Sequence, residues 1–106
     1  MKTRYLIAMI AALSVSAAAF AVDDGEALFN KSGCTACHTV DKKLVGPAMK
    51  EVAAKYKGDK GAQARLEKKV RNGGSGSWGA VPMPPAQKSV SDGSIKTIVE
   101  WALSRK

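Results

Sequence analysis

Both cysteines and the only histidine of this 106-residue chain lie within five residues, Cys34-Thr35-Ala36-Cys37-His38. Four uses of this cluster are open: a structural disulfide, a thioredoxin-like redox pair, a zinc site and covalent attachment of haem. A disulfide across a two-residue gap closes a tiny loop and stabilises little. A redox pair needs a strand and a helix around it, and zinc lacks its usual fourth ligand here. In the haem alternative, both thiols add to vinyl groups and the adjacent histidine ligates the iron.

The N-terminus has the pattern of a secretory signal peptide. Lys2 and Arg4 precede an uncharged run from Tyr5 to Val22, which contains the small-x-small pattern Ala19-Phe20-Ala21. We therefore predict a signal peptide over residues 1–21, cleaved after Ala21, and export to the periplasm. The alternative is a retained membrane anchor, because 18 uncharged residues reach the lower limit of a membrane span.

The chain left after cleavage is short for a stable domain. Residues 22–106 form one domain of about 85 residues, and a domain of this size buries only about 60% of its unfolded surface. Small exported domains usually recruit a disulfide, a metal or a cofactor to complete the core. A haem would fill such a core with a large apolar group, and it explains why both thiols and the imidazole lie together.

The pattern of the remaining chain predicts an all-α domain of short helices, with no period-2 strand and no internal repeat. The expected helices run from Asp23 or Asp24 to Asn30, from Pro47 up to Gly58, from Ala62 to Arg71, and onward from Ser91 or Asp92. The last of them has the clearest amphipathic stripe, formed by Ile95, Ile98, Val99, Ala102 and Leu103. On the third, Glu67 and Arg71 have the i,i+4 spacing of an ion pair.

A long irregular segment, GGSGSWGAVPMPP at residues 73–85, precedes the last helix. Its four glycines and three prolines exclude regular structure, and a loop of this length in a small domain is usually functional. Of the four methionines, Met1 and Met9 lie in the predicted signal peptide, and Met49 lies on an apolar helix face that favours a core role. Met83 is either a gap filler or, as we predict, the second iron ligand, because stiff prolines lower the entropy lost on placing its sulfur.

The motifs GCTACH, LVGPAMKEVAAKY, NGGSGSWGAVPMPP and IVEWALSRK follow in this order between Asp24 and Lys106. Together they resemble the small bacterial class I cytochromes c of the c-551/c-552 type. The resemblance implies the cytochrome c fold, with four to five short helices around one covalently bound haem c. It implies thioethers at Cys34 and Cys37, and iron ligation by His38 and Met83.

The resemblance also implies roles for residues around the haem. The Pro47 carbonyl should accept the ring N–H of His38, and Trp78 should hydrogen-bond a haem propionate. Phe29 and Trp101 should pack where the N- and C-terminal helices cross.

One stretch and one residue depart from the pattern of this family. The stretch AQKSV after the prolines is about two residues longer than in the shortest members, and no role is assigned to its Gln87. Lys69 stands where some members carry an arginine near the propionates, and it too receives no role.

The predicted function is a soluble one-electron carrier, not an enzyme. Loss of Lys2 and Arg4 lowers the net charge from +8 to +6, and this basic balance predicts docking to acidic redox-protein surfaces. The expected donor is a quinol-oxidising complex or another upstream protein, and the expected acceptor is a terminal oxidase, a nitrite reductase or a peroxidase. Few aromatics and no arginine-rich stripe argue against nucleic acid; membrane contact should be transient at most, and the protein a monomer.

Two other functional classes stay open. If Met83 were displaced from the iron, the haem could act as a peroxidase or bind gases. If the N-terminus were not cleaved, the chain would be a membrane-tethered subunit of a respiratory complex.

Overall fold

Four α-helices and one turn of 3₁₀ helix make up the part of the chain that this computed structural model describes, residues 17–106, with side chains from Asp24 onward. The elements are α1 (Ala17–Lys31), the 3₁₀ turn (Cys34–Ala36), α2 (Met49–Lys55), α3 (Ala62–Asn72) and α4 (Asp92–Leu103). The only β-pairing among the described residues is an isolated antiparallel bridge between Gly74 and Met83. The predicted all-α class is confirmed.

Most of the predicted signal peptide, residues 1–16, lies outside the described residues. Its cleavage after Ala21 therefore stays a prediction. Within residues 17–106, none of the helices combines the length and the apolar character that a membrane crossing requires.

Two helices begin at residues other than those predicted. α1 begins at Ala17, so in the uncleaved chain Asp23 and Asp24 lie within it and do not cap it. A cap at these residues was predicted for the chain after cleavage and stays a prediction. α2 begins two residues after Pro47, because Ala48 is still extended (φ −63°, ψ 148°) and serves as the N-cap. The first amide groups of a helix have no partner within it, and here they bond to an earlier segment. Met49 N–H donates to the Thr39 carbonyl at 2.9 Å and Lys50 N–H to the Val40 carbonyl at 3.1 Å.

The start of α4 was predicted correctly. Ser91 is the N-cap, and its hydroxyl oxygen accepts a hydrogen bond from Ser94 N–H at 3.1 Å. The Ser91 hydroxyl also donates to the Ser94 hydroxyl at 3.0 Å. Ser94 therefore contributes to this cap although it replaces the acidic residue of a capping box.

The core forms where α1, α2 and α3 each pack against α4. At the crossing of α1 and α4, the rings of Phe29 and Trp101 lie 4.8 Å apart between centroids and are tilted by 43°. Trp101 is 1% exposed and Phe29 3% exposed, as the resemblance implied. Gly25 permits this crossing, because a Cβ at that position would lie only 2.2 Å from the Trp101 Cβ.

Arg71, at the end of α3, joins that helix to the start of α4. Its guanidinium donates to the Asp92 carboxylate at 2.8 Å and also to the Val90 carbonyl. The predicted pair of Arg71 with Glu67 is not formed; Glu67 instead accepts a hydrogen bond from Gln63 at 3.0 Å. The tertiary partner displaces the local one because it offers Arg71 a carboxylate and a carbonyl together.

Candidate functional site

An apolar cleft of ≈ 510 Å³ lies between the segment that contains Cys34, Cys37 and His38 and the loop of residues 73–85. We call this loop the methionine loop. Its Met83 lines the same cleft, 45 residues after His38 in the chain. The remaining wall consists largely of apolar side chains, including those of Phe29, Val52, Leu66, Val70, Ile98 and Val99. The fold therefore brings together all four predicted site residues.

The 3₁₀ turn positions the two cysteines. Cys37 N–H donates to the Cys34 carbonyl at 3.2 Å and His38 N–H to the same carbonyl at 2.9 Å, so the chain turns tightly enough for all three side chains to line the cleft. Both thiols are free and half-buried. Burial raises the pKa of the Cys34 thiol above its usual value.

These properties weigh against the other uses of the cluster. A reactive redox cysteine has a lowered pKa, whereas burial moves Cys34 in the opposite direction. The described residues contain no strand beside the motif. Nor does the described part of the chain contain a group of three or more His, Cys, Asp or Glu side chains that could hold a metal ion, as zinc would need.

The orientation of His38 is fixed by the segment after it. Its Nδ1 lies 2.8 Å from the Pro47 carbonyl oxygen, which is the hydrogen bond that the resemblance implied. Because a carbonyl can only accept, Nδ1 carries the proton and Nε2 is left as the nitrogen that can bind a metal. Gly46 makes this approach possible, since a Cβ there would lie 2.4 Å from the imidazole Cε1.

Met83 is held by its backbone. Its N–H donates to the Gly74 carbonyl and its carbonyl accepts from Gly74 N–H, both at 2.9 Å. Nearer the tip of the methionine loop, Gly76 N–H donates to the Gly79 carbonyl at 2.8 Å. Apart from the single Gly74–Met83 bridge, the loop is irregular, as predicted.

Three further residues belong to the surroundings of the cleft. Trp78 lines it at 40% exposure, and its bond to a propionate stays a prediction. Met49 is buried in the core, the role that its apolar helix face favoured, and it also lines the cleft. Lys69 lines both this cleft and a smaller cavity of ≈ 340 Å³, which Trp78 also lines.

Sequence reasoning missed two contacts in this region. Gly46 had a signal, since a glycine directly before Pro47 permits close approach to a neighbouring ring. The contact of Lys55 had no signal in the sequence. Its ammonium donates to the Ser77 carbonyl, 22 residues later in the chain, at 2.7 Å.

Comparison with known proteins identifies the family. The family model for cytochrome c matches residues 22–106. The chain belongs to the cytochrome c family. It is 44% identical to cytochrome c-551 of Pseudomonas aeruginosa over 106 residues, which is 100% of both chains. It is 57% identical to cytochrome c-551 of Allochromatium vinosum over 76 residues, 72% of this chain and 80% of that one.

A solved structure confirms the cytochrome c fold. The crystal structure of wild-type Nitrosomonas europaea cytochrome c552 superimposes with a TM-score of 0.72 at 44% identity, covering 76% of this chain and 99% of that chain. The chain is thus similar to small bacterial cytochromes of the c-551/c-552 type, as its motifs indicated.

Membership in the cytochrome c family implies one covalently bound haem c, and the cleft of this cytochrome c fits that group. Its walls are mainly apolar, as a porphyrin ring requires. Two half-buried thiols stand on one short turn. An imidazole whose Nε2 is free and a thioether on a fixed backbone supply the two types of ligand that electron-transfer haems use.

Proposed function

We propose that this cytochrome c is a one-electron carrier of the periplasm, with haem attached at Cys34 and Cys37 and its iron ligated by His38 and Met83. The observation that carries the proposal is the single apolar cleft lined by both thiols, the imidazole and the methionine. The bound haem supplies the chemistry, which is the exchange of one electron at its iron.

The residues around the cleft serve this role by holding fixed positions. The Pro47 carbonyl keeps the His38 ring in one tautomer and one orientation. The bridge to Gly74 holds the Met83 backbone. With His38 and Met83 both holding the iron, oxygen and peroxide would be excluded from it, which supports a carrier rather than an enzyme.

The periplasmic location rests on the N-terminal pattern. A basic start, an uncharged run and the sequence Ala19-Phe20-Ala21 support export and cleavage after Ala21.

The proposal is tested by optical spectra and mass of the protein matured in a bacterial host that can attach haem c. We expect a protein mass increased by one haem, a low-spin spectrum in both oxidation states, and a weak sulfur-to-iron charge-transfer band in the oxidised form. A colourless product with the mass of the bare polypeptide would refute haem attachment. A high-spin spectrum would instead favour a peroxidase or a gas-binding protein.

The proposed partners are redox proteins with acidic docking surfaces. Lys43 and Lys69 lie at the cleft, and the exposed apolar side chains Leu44, Val45 and Val81 line it as well. Glu51 also lines the cleft, so its charged lining is two lysines and one glutamate. With the net positive charge of the chain, this partly apolar rim suits an acidic partner, because opposite charges speed the encounter while apolar contact excludes water.

Electron transfer to such a partner should slow several-fold when ionic strength rises from about 0.01 M to about 0.15 M, as the Debye length shortens from roughly 30 Å to roughly 8 Å. Stopped-flow measurements with a purified nitrite reductase, peroxidase or terminal oxidase would give the rates. A small uncharged oxidant is the control, and its rate should not change with salt. Equal salt dependence for both reactions would contradict an electrostatic docking surface.

A further inference from the structure

The methionine loop is fastened mainly at its ends. Gly73 N–H donates to the Lys69 carbonyl at 2.7 Å, and just beyond the loop Ala86 N–H donates to the Val70 carbonyl at 2.9 Å. The bonds Gly74–Met83 and Gly76–Gly79 join the loop only to itself. Both end contacts are to α3, so the projecting part of the loop needs another attachment if it is to stay in place.

Lys55 provides that attachment. Its ammonium donates to the Ser77 carbonyl at 2.7 Å, and among the described residues this is the one hydrogen bond that joins residues 75–82 to the rest of the protein. The same ammonium lies 4.3 Å from the centroid of the Trp78 ring and 5.6 Å from that of Tyr56. Both distances are within the range of cation–π attraction.

The position of Lys55 is itself rigid. It is the last residue of α2, where a cation is favoured by the helix dipole. Met49, Val52 and Ala53 of this short helix are buried, and α2 packs against α4. Lys55 therefore joins the tip of the methionine loop to the packed core.

We propose that Lys55 is a positioning residue for Met83, holding the methionine loop closed over the cleft through Ser77 and Trp78. The inference rests on the proposed function, in which Met83 ligates the iron. The bridge partner of Met83, Gly74, belongs to the same loop, so the bridge does not tie Met83 to the rest of the protein, and a loop released at its tip carries the thioether away from the cleft more often. Lys55 thus sets how often the methionine leaves the metal.

The test is the rate at which imidazole replaces the methionine in the oxidised, haem-loaded protein, followed by loss of the sulfur-to-iron charge-transfer band. At saturating imidazole this rate equals the rate of loop opening. Lys55→Ala should raise it about fivefold, the effect of losing one hydrogen bond and one cation–π contact at an exposed site. Lys55→Arg should restore a rate near that of the wild type, because arginine keeps the charge, the donor and the stacking.

Lys57→Ala is the matched control. It removes the same charge two residues away, and the Lys57 side chain makes no hydrogen bond or ion pair with the described residues. Its opening rate should stay within about twofold of the wild type, since a surface charge without a partner contributes little. Equal rates in Lys55→Ala and Lys57→Ala would overturn the proposal.

Amide hydrogen exchange gives a second readout that does not depend on the spectrum. In Lys55→Ala, the amides of Gly76 and Met83, which are bonded within the loop, should exchange faster than in Lys57→Ala. Faster exchange with an unchanged imidazole rate would mean that Lys55 holds the loop without positioning the ligand, and the proposal would fail. A wild-type protein that lacks the charge-transfer band would refute iron ligation by Met83 itself. This outcome would count against the proposed function, whereas the comparison of the two lysine variants tests only the role of Lys55.

Discussion

Replacing Met83 with alanine should leave the haem attached but lower its reduction potential by about 0.2–0.3 V, a substantial part of the roughly 0.8 V range that axial ligands set. A thioether favours the reduced iron, and its loss leaves water or an external ligand in its place. Attachment should survive because it depends on Cys34 and Cys37, which lie on the 3₁₀ turn and not on the methionine loop. Potentiometry and the oxidised spectrum measure the two effects.

Met49→Leu is the control for this experiment. Met49 also lines the cleft, but it belongs to the buried core, where leucine is tolerated at a cost below about 1.5 kcal/mol. The charge-transfer band should persist in Met49→Leu and disappear in Met83→Ala. The reverse result would assign the iron to Met49 and would show that the prolines around Met83 serve only the loop.

Replacing Trp101 with alanine should lower the free energy of unfolding by about 3–5 kcal/mol, the usual cost of removing a large buried ring. Trp101 is 1% exposed, and it packs against Phe29 at the crossing of α1 and α4. The Arg105 guanidinium also lies 4.6 Å from its ring centroid. Gly25, the residue of α1 that faces Trp101, has no side chain that could move into the space of the lost indole, so a cavity should remain. Guanidinium unfolding of the haem-loaded protein gives the free energy.

Trp101→Phe separates the packing of the ring from its polar group. The indole Nε1 is buried and has no hydrogen-bond partner among the described residues, so phenylalanine loses no hydrogen bond. We expect a clearly smaller loss of stability than in Trp101→Ala, since most of the ring contact with Phe29 is kept. Equal losses in the two variants would show that the nitrogen, through a partner such as a bound water, carries the effect.

Several parts of the site that sequence analysis predicted are fixed by neighbours along the chain, whereas the His38–Pro47 bond and the Phe29–Trp101 packing were expected from the family resemblance. The spacing of Cys34, Cys37 and His38 sets their chemistry locally, and Ser91 caps α4 through a bond to a residue three positions away. The exclusion of regular structure between residues 73 and 85 follows from local glycines and prolines.

One error and one omission involve contacts between distant segments. Arg71 pairs with Asp92 instead of its neighbour Glu67 because the fold brings α4 within reach. The bond from Lys55 to Ser77 spans 22 residues. Composition and periodicity do not encode which of many lysines faces a loop, so such contacts appear only in three dimensions.

The attachment of the segment after the methionine loop explains how extra length is accommodated there. Ala86 is bonded to the Val70 carbonyl on one side, and on the other the Arg71 guanidinium binds the Val90 carbonyl and Asp92. Between these attachments the Gln87 carbonyl accepts from Val90 N–H at 2.9 Å and from the Arg71 guanidinium at 3.4 Å, so the stretch is a turn whose residues 88 and 89 are exposed. A peptide tag or a linker to an electrode inserted between residues 88 and 89 would therefore project into solvent, while Met83 stays upstream of the attachment at Ala86.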